Sequence, residues 1–116
     1  MKLKSELIEL MDQAKSLLES DLQNPPSIPE LAHLVGMNET YLKIHFKAAF
    51  EMTIYGFVKN QRILRAKQLL SERELNVAEI AREVGYKHPT HFTAAFKKVT
   101  GISPKDFVRD VLDEST

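Results

Sequence analysis

The chain carries one pattern twice. Glu30-Leu31-Ala32 returns as Glu79-Ile80-Ala81, and Val35-Gly36 returns as Val84-Gly85, both at an offset of 49 residues. Beyond the glycine the offset becomes 50. Leu42 then pairs with Phe92, Phe46-Lys47 with Phe96-Lys97, Met52-Thr53 with Ile102-Ser103, and Phe57-Val58 with Phe107-Val108. So many matched pairs in register mean one supersecondary unit used twice, with a turn one residue longer in the second copy. Whatever the first copy builds, the second must build as well.

The unit is clearest in the second copy. Asn76 and Glu79 have the spacing of a capping box, in which two side chains satisfy orphan backbone donors at a helix start. Ile80, Ala81 and Val84 give that short helix one apolar face. Gly85 stands where the chain must leave the helix, a position glycine takes with positive φ at no steric cost. Pro89 suits the first turn of a second helix, and Phe92, Ala95, Phe96 and Val99 make that helix one-sided. The first copy repeats the layout. Ser27 and Glu30 form the box, Pro29 sits in the opening turn, Leu31, Ala32 and Val35 face inward, and Gly36 closes the helix. Asn38 caps the next helix, in which Tyr41 or Leu42, Ile44 or His45, Phe46 and Ala49 share core and surface. Helix, tight turn and helix with a polar outer face is the layout of a DNA-reading helix-turn-helix.

The remaining segments connect and flank these units. Residues 2–22 place Leu3, Leu7, Leu10, Ala14 and Leu18 at helical spacing, and Asn24-Pro25-Pro26 ends that helix. From Tyr55 to about Leu70 the spacing predicts a long helix carrying Val58, Arg62, Leu64, Arg65, Leu69 and Leu70. Such a helix extends ~24 Å, a stiff spacer between lobes of ~50 residues whose cores are marginal alone. Ser103-Pro104-Lys105-Asp106 caps a last short helix with Phe107, Val108 and Val111. The expected fold is all-α: two helix-turn-helix lobes joined by a long linker helix, about seven helices in total. Its segments are an N-terminal helix at 1–23, a first lobe at 24–54, a linker helix at 55–71, a second lobe at 72–110 and a frayed tail at 111–116.

Composition narrows the function. With 43% hydrophobic residues the chain can bury a core, and with no cysteine it has neither disulfides nor thiolate metal sites. No apolar run reaches the ~20 residues that span a bilayer, and no secretory leader opens the chain, so a soluble cytoplasmic protein without a membrane partner is expected. Net charge is zero, yet it is unevenly spread. Residues 1–40 hold three lysines against seven acids, residues 41–109 thirteen Lys/Arg against six acids, and residues 110–116 three acids. A basic centre between acidic ends can still present a positive face, and the face attracts phosphate. His88 and His91 are three apart, but Pro89 lies between them and no Cys or acid completes a metal set. His33, His45, His88 and His91 are therefore placed on the surface or toward DNA. No nucleophile, glycine cradle or carboxylate pair points to an enzyme, and no cofactor is called for. Phe46, Phe50, Phe57, Phe92, Phe96 and Phe107 fall at core spacing, which excludes a base-stacking platform.

The residues Ile80-Ala81, Val84-Gly85-Tyr86, His91-Phe92, Phe96-Lys97-Lys98, Gly101-Ile102-Ser103-Pro104 and Phe107 resemble the C-terminal hallmark of AraC/XylS-type bacterial transcription regulators. The resemblance covers roughly residues 25–109, with Arg62, Ala66 and Leu69-Leu70 in the linker helix. Asn24-Pro25-Pro26-Ser27, Met37-Asn38-Glu39, Leu42-Lys43 and Thr53-Ile54-Tyr55-Gly56-Phe57 look like the branch controlling siderophore (pyochelin-type) uptake. The resemblance implies a transcription regulator that binds double-stranded promoter DNA, with RNA polymerase as a further partner. It implies that the second helix of each lobe enters the major groove. Base edges would then be read by Thr40, Lys43 and Ile44 in the first lobe and by Pro89, Thr90, Thr93 and Ala94 in the second. Phosphate contacts would come from Asn38, Lys47, Lys87, His88, Lys97 and Lys98, and from Arg62 and Arg65 if they face outward. Many relatives carry Arg at the positions of Ile44 and Ala94, and Gly at that of Glu51. Ile44 and Ala94 can offer only apolar contact, for instance to a thymine methyl, which leaves Lys43 as the main hydrogen-bonding reader.

Two lobes on one face of a duplex would enter successive major grooves about 34 Å apart, and a stiff linker would require the DNA to bend at a cost of about 1–6 kcal/mol. Regulators of this type commonly carry a separate effector-binding domain. Residues 1–22 are too little to enclose a ligand, so any effector acts through a domain not present in this chain. The siderophore-branch resemblance favours the DNA-binding end of a longer protein over a naturally minimal activator. A second function class stays open: a helical interaction module that docks RNA polymerase or another protein without reading bases.

Overall fold

The computed structural model describes residues 4–112. Leu3, expected in the first helix, and the tail 113–116 lie outside the described residues. Among the described residues the fold is all-helical: α1 (Lys4–Glu19), α2 (Ile28–Val35), α3 (Glu39–Phe50), α4 (Ile54–Glu72), α5 (Val77–Glu83), α6 (Pro89–Thr100) and α7 (Pro104–Phe107), then a π-helical turn over Val108–Leu112. Seven α-helices and no strand match the expected class.

The helices begin where the caps lie. At α2 the Ser27 hydroxyl accepts from the Glu30 backbone N–H at 3.2 Å, and the Glu30 carboxylate accepts from the Ser27 N–H at 3.3 Å. At α5 the same reciprocal pair joins Asn76 and Glu79 at 2.8 and 3.0 Å. Both capping boxes are complete. After α2 and α5 the chain turns through Gly36 (φ 71°) and Gly85 (φ 108°). The next backbone N–H reaches back across the turn, Met37 to the Ala32 carbonyl at 3.0 Å and Tyr86 to that of Ala81 at 2.8 Å. That bond is the signature of a Schellman stop, which needs a left-handed residue and so favours glycine. The repeat in sequence is thus a repeat in hydrogen bonding.

The chain divides into two compact units, Met1–Val58 and Lys59–Thr116. The first packs Met11, Ala14 and Leu18 of α1 with Leu31 and Val35 of α2, Leu42 and Phe46 of α3, and Ile54, Phe57 and Val58 of α4. Phe46 is its centre, edge-on to Phe50 at 4.7 Å and to Phe57 at 5.6 Å. The second packs Ile63, Ala66, Leu69 and Leu70 of α4 with Ile80, Ala81 and Val84 of α5 and Phe92 and Phe96 of α6. There Phe96 lies 5.8 Å from Phe92 and 5.5 Å from Phe107. The apolar residues of α4 therefore serve one core in its first turns and the other afterwards.

One expectation changes. Val99, assigned to the apolar face of α6, is 42% exposed. Its covering helix α5 has seven residues, ~10 Å, which cannot span the ~18 Å of twelve-residue α6. Ala49, its counterpart in α3, is exposed for the same reason, because α2 has only eight residues. In α4 Leu64 is exposed, and Ile63 and Ala66 lie in the core.

Candidate nucleic-acid interface

The second helix of each lobe shows the same two faces. In α3 Leu42 and Phe46 are fully buried, and Thr40, Lys43, Ile44 and Lys47 are exposed. In α6 Phe92 and Phe96 are fully buried, and Thr90, Ala94 and Lys97 are exposed, with Thr93 half-buried. At 100° per residue Ile44 and Ala94 stand opposite the buried pair, at the crest of each helix. The offset of 50 maps Thr40, Lys43, Ile44 and Lys47 onto Thr90, Thr93, Ala94 and Lys97, so each lobe presents a matched quartet: a threonine, a hydrogen-bonding side chain, an apolar crest and a lysine. Pro89 lies in the first turn of α6 and is exposed.

The flanking polar residues fall around each helix start. Asn38 caps α3, its side-chain oxygen accepting from the Tyr41 N–H at 2.9 Å. That oxygen is occupied, so the amide NH2 is what Asn38 has left to offer an anion. Lys87 and His88 lie in the turn before α6, both exposed, and His88 is the N-cap residue but makes no side-chain capping hydrogen bond. His88 and His91 pack edge to face at 5.1 Å. Lys98 is exposed beside Lys97 in the last turn of α6. Arg65 of α4 is exposed, with a guanidinium hydrogen bond of 3.2 Å to Gln68. Arg62 is only half-exposed and lies over the Tyr86 ring, its guanidinium carbon 5.3 Å from the centroid. It is therefore turned onto the lobe and not outward.

The structure adds neighbours that spacing alone did not mark. Tyr41, 58% exposed, stacks on His45 at 5.5 Å and 13°, forming one shoulder of the α3 crest. Tyr55, 72% exposed at the start of α4, closes a surface hollow of about 520 Å³ with Ile28, Pro29, Glu39, Lys43, Ile44, Lys47, Thr53 and Ile54. The four-residue step from Tyr41 to His45 signals their shared face; nothing local signals that Tyr55 and Ile44 line one hollow. Glu39, at the edge of that hollow, is an acid in the first turn of α3, where α6 has Pro89. Among the described residues no group of three or more His, Asp or Glu is placed to hold a metal ion. No helix among them is long and apolar enough to cross a membrane.

Comparison with known proteins accords with this geometry. Residues 31–110 match the helix-turn-helix domain family. An HTH-type transcriptional regulator in the cgkA 5′ region of Pseudoalteromonas carrageenovora is 34% identical over 100 residues, which are 86% of this chain and 59% of that protein. Regulatory protein PchR of Pseudomonas aeruginosa is 39% identical over 70 residues, 60% of this chain and 24% of that protein. The chain thus spans less than two thirds of the length of these curated relatives. Among solved structures, a transcriptional regulator of the AraC-type DNA-binding-domain group from Chromobacterium violaceum superposes with a TM-score of 0.83 at 23% identity, over 91% of this chain and 95% of that one. The DNA-binding domain of AdpA, a global transcriptional factor solved with a target DNA, gives 0.78 at 23% identity, over 93% and 94%. At that identity these two establish the fold. The match over residues 31–110, together with the 34% identical HTH-type transcriptional regulator, shows that the chain belongs to the AraC/XylS-type helix-turn-helix family of transcription regulators.

Proposed function

We propose that this chain binds double-stranded promoter DNA sequence-specifically, with α3 and α6 each entering one of two successive major grooves. Thr40, Lys43 and Ile44, and Pro89, Thr90, Thr93 and Ala94, meet base edges. Asn38, Lys47, Lys87, His88, Lys97 and Lys98 meet phosphates. The observation that carries the proposal is the matched pair of quartets, each set at the same register opposite a fully buried pair, Leu42 with Phe46 and Phe92 with Phe96. A core does not require the outer face to repeat, and two helices that meet the same kind of surface account for it. Within that division Lys43 is the main hydrogen-bonding reader, because the crests Ile44 and Ala94 offer only methyl-type contact and Thr93 is half-buried. The second lobe then contributes more through Lys87, Lys97 and Lys98 on phosphate.

The same proposal places the chain in the cytoplasm as the DNA-reading part of a regulator. Effector response resides in a domain outside this chain, and RNA polymerase is a further partner. The segments Asn24-Pro25-Pro26-Ser27 and Thr53-Ile54-Tyr55-Gly56-Phe57 support siderophore uptake as the regulated process. A competing reading has one observation in its favour. The exposed Tyr41, Ile44 and Tyr55 would also suit a protein partner. Comparing cognate with scrambled duplex for the Lys43→Ala, Thr93→Ala double variant separates the two. DNA reading predicts that discrimination falls about tenfold or more, since each good base contact supplies about 1–3 kcal/mol. Unchanged discrimination would favour the docking module.

A further inference from the structure

We infer that Arg62 is a positioning residue for the second reading helix: through the Tyr86 ring it sets where α6 starts. The inference rests on the proposal that α6 reads DNA. Its basis is a difference between the two lobes that the repeat makes visible. The start of α3 is fixed locally, since Asn38 follows Gly36 by two residues and caps the helix with a 2.9 Å hydrogen bond. The start of α6 lacks that side-chain cap. Its turn is one residue longer, and its N-cap residue, His88, makes no side-chain capping hydrogen bond, only its carbonyl accepting from the His91 and Phe92 N–H groups. A side-chain cap is therefore not among the contacts that hold Pro89 and Thr90 in place.

Tyr86 is the residue so placed. It lies two positions before His88, tied by its backbone N–H to Ala81 of α5 at 2.8 Å. Its ring packs 5.7 Å from that of Phe92, the buried anchor of α6. The outer face of the ring is covered by the Arg62 guanidinium at 5.3 Å. Burial pushes the Tyr86 hydroxyl above the usual 10.0, while the Arg62 charge and a hydrogen bond from Arg62 pull the other way. Arg62 thus holds Tyr86 by its flat face and by its charge, linking α4 to the turn and, through Phe92, to α6. In the first lobe Met37 occupies the position of Tyr86, a flexible side chain with no ring to clamp. A helix-turn-helix can therefore be built without the clamp. The second lobe has it where the side-chain cap is missing.

The test uses a duplex selected from a random pool, whose base pairs are assigned to α3 or α6 by Lys43→Ala and Thr90→Ala. Discrimination at each base pair is then measured for Arg62→Ala, Arg62→Lys, Tyr86→Leu and the Arg62→Ala, Tyr86→Leu pair, at several salt concentrations. Loss of a cation–ring contact predicts that Arg62→Ala weakens discrimination about 3- to 10-fold at the α6 base pairs. It leaves the α3 base pairs and the salt slope as they were. Tyr86→Leu gives the same local loss, and the double variant adds nothing to it. Arg62→Lys keeps the charge without the flat face and shows the loss too, so it decides the question if Arg62→Ala does not fold. A salt slope reduced by about 0.9 with discrimination intact would make Arg62 a phosphate ligand and overturn the inference. Equal losses at both sets of base pairs would also overturn it. A wild-type chain that does not discriminate at all would instead remove the DNA-reading proposal on which it rests.

Discussion

Glu51 ends α3 in the left-handed region, at φ 58° and ψ 24°, while its counterpart Gly101 ends α6 at φ 90°. A side chain with a Cβ pays about 1 kcal/mol to stand there, which glycine does not. Glu51→Gly is expected to raise stability by about 1 kcal/mol in a thermal or urea melt; no gain, or a loss, would mean that Glu51 makes a compensating contact. At the same scale, single side chains differ in how far spacing reveals them. Phe46, Phe92 and Phe96 announce themselves as core by helical spacing and are fully buried. The Arg62–Tyr86 contact is not readable, because 24 residues separate the pair and no periodicity joins them. Val99 misleads because periodicity records which side a residue faces, not how far the covering helix extends.

Helix starts were the most legible elements. Ser27, Asn38, Asn76 and Ser103 each accept from the backbone N–H three residues on, as their spacing predicts. The chemistry there is local, so four consecutive residues contain the whole argument. Asn76→Ala breaks the box on the seven-residue α5 and is expected to cost about 1 kcal/mol in urea unfolding. A change within error would mean that packing of Ile80 and Ala81 alone holds that helix. The long helix was harder to divide. Its apolar residues Ile54, Phe57 and Val58 serve one core and Ile63, Ala66, Leu69 and Leu70 the other. A stripe that changes partners partway along has no single period for a sequence to display. In α1, too, Met11 is buried ahead of Leu7 and Leu10, because helical spacing gives a face wide enough for several choices.

For the whole molecule, zero net charge hides its distribution. Lysines recur on the exposed faces of both second helices, while the acids concentrate in α1 and at the chain's end, so overall charge is a poor guide to partner and local charge a good one. The matched faces follow from the repeat and could be located from sequence. Which bases they select could not, since Ile44 and Ala94 carry no hydrogen-bonding group to report a base. The central claim is that both faces act on one duplex, and a binding titration of the selected duplex and a scrambled one from 50 to 200 mM salt tests it most directly. Lys47, Lys87, Lys97 and Lys98 at phosphates predict a log–log slope of about −4 and tighter binding to the selected duplex at every salt concentration. A flat salt response, with equal affinity for the scrambled duplex, would contradict the account.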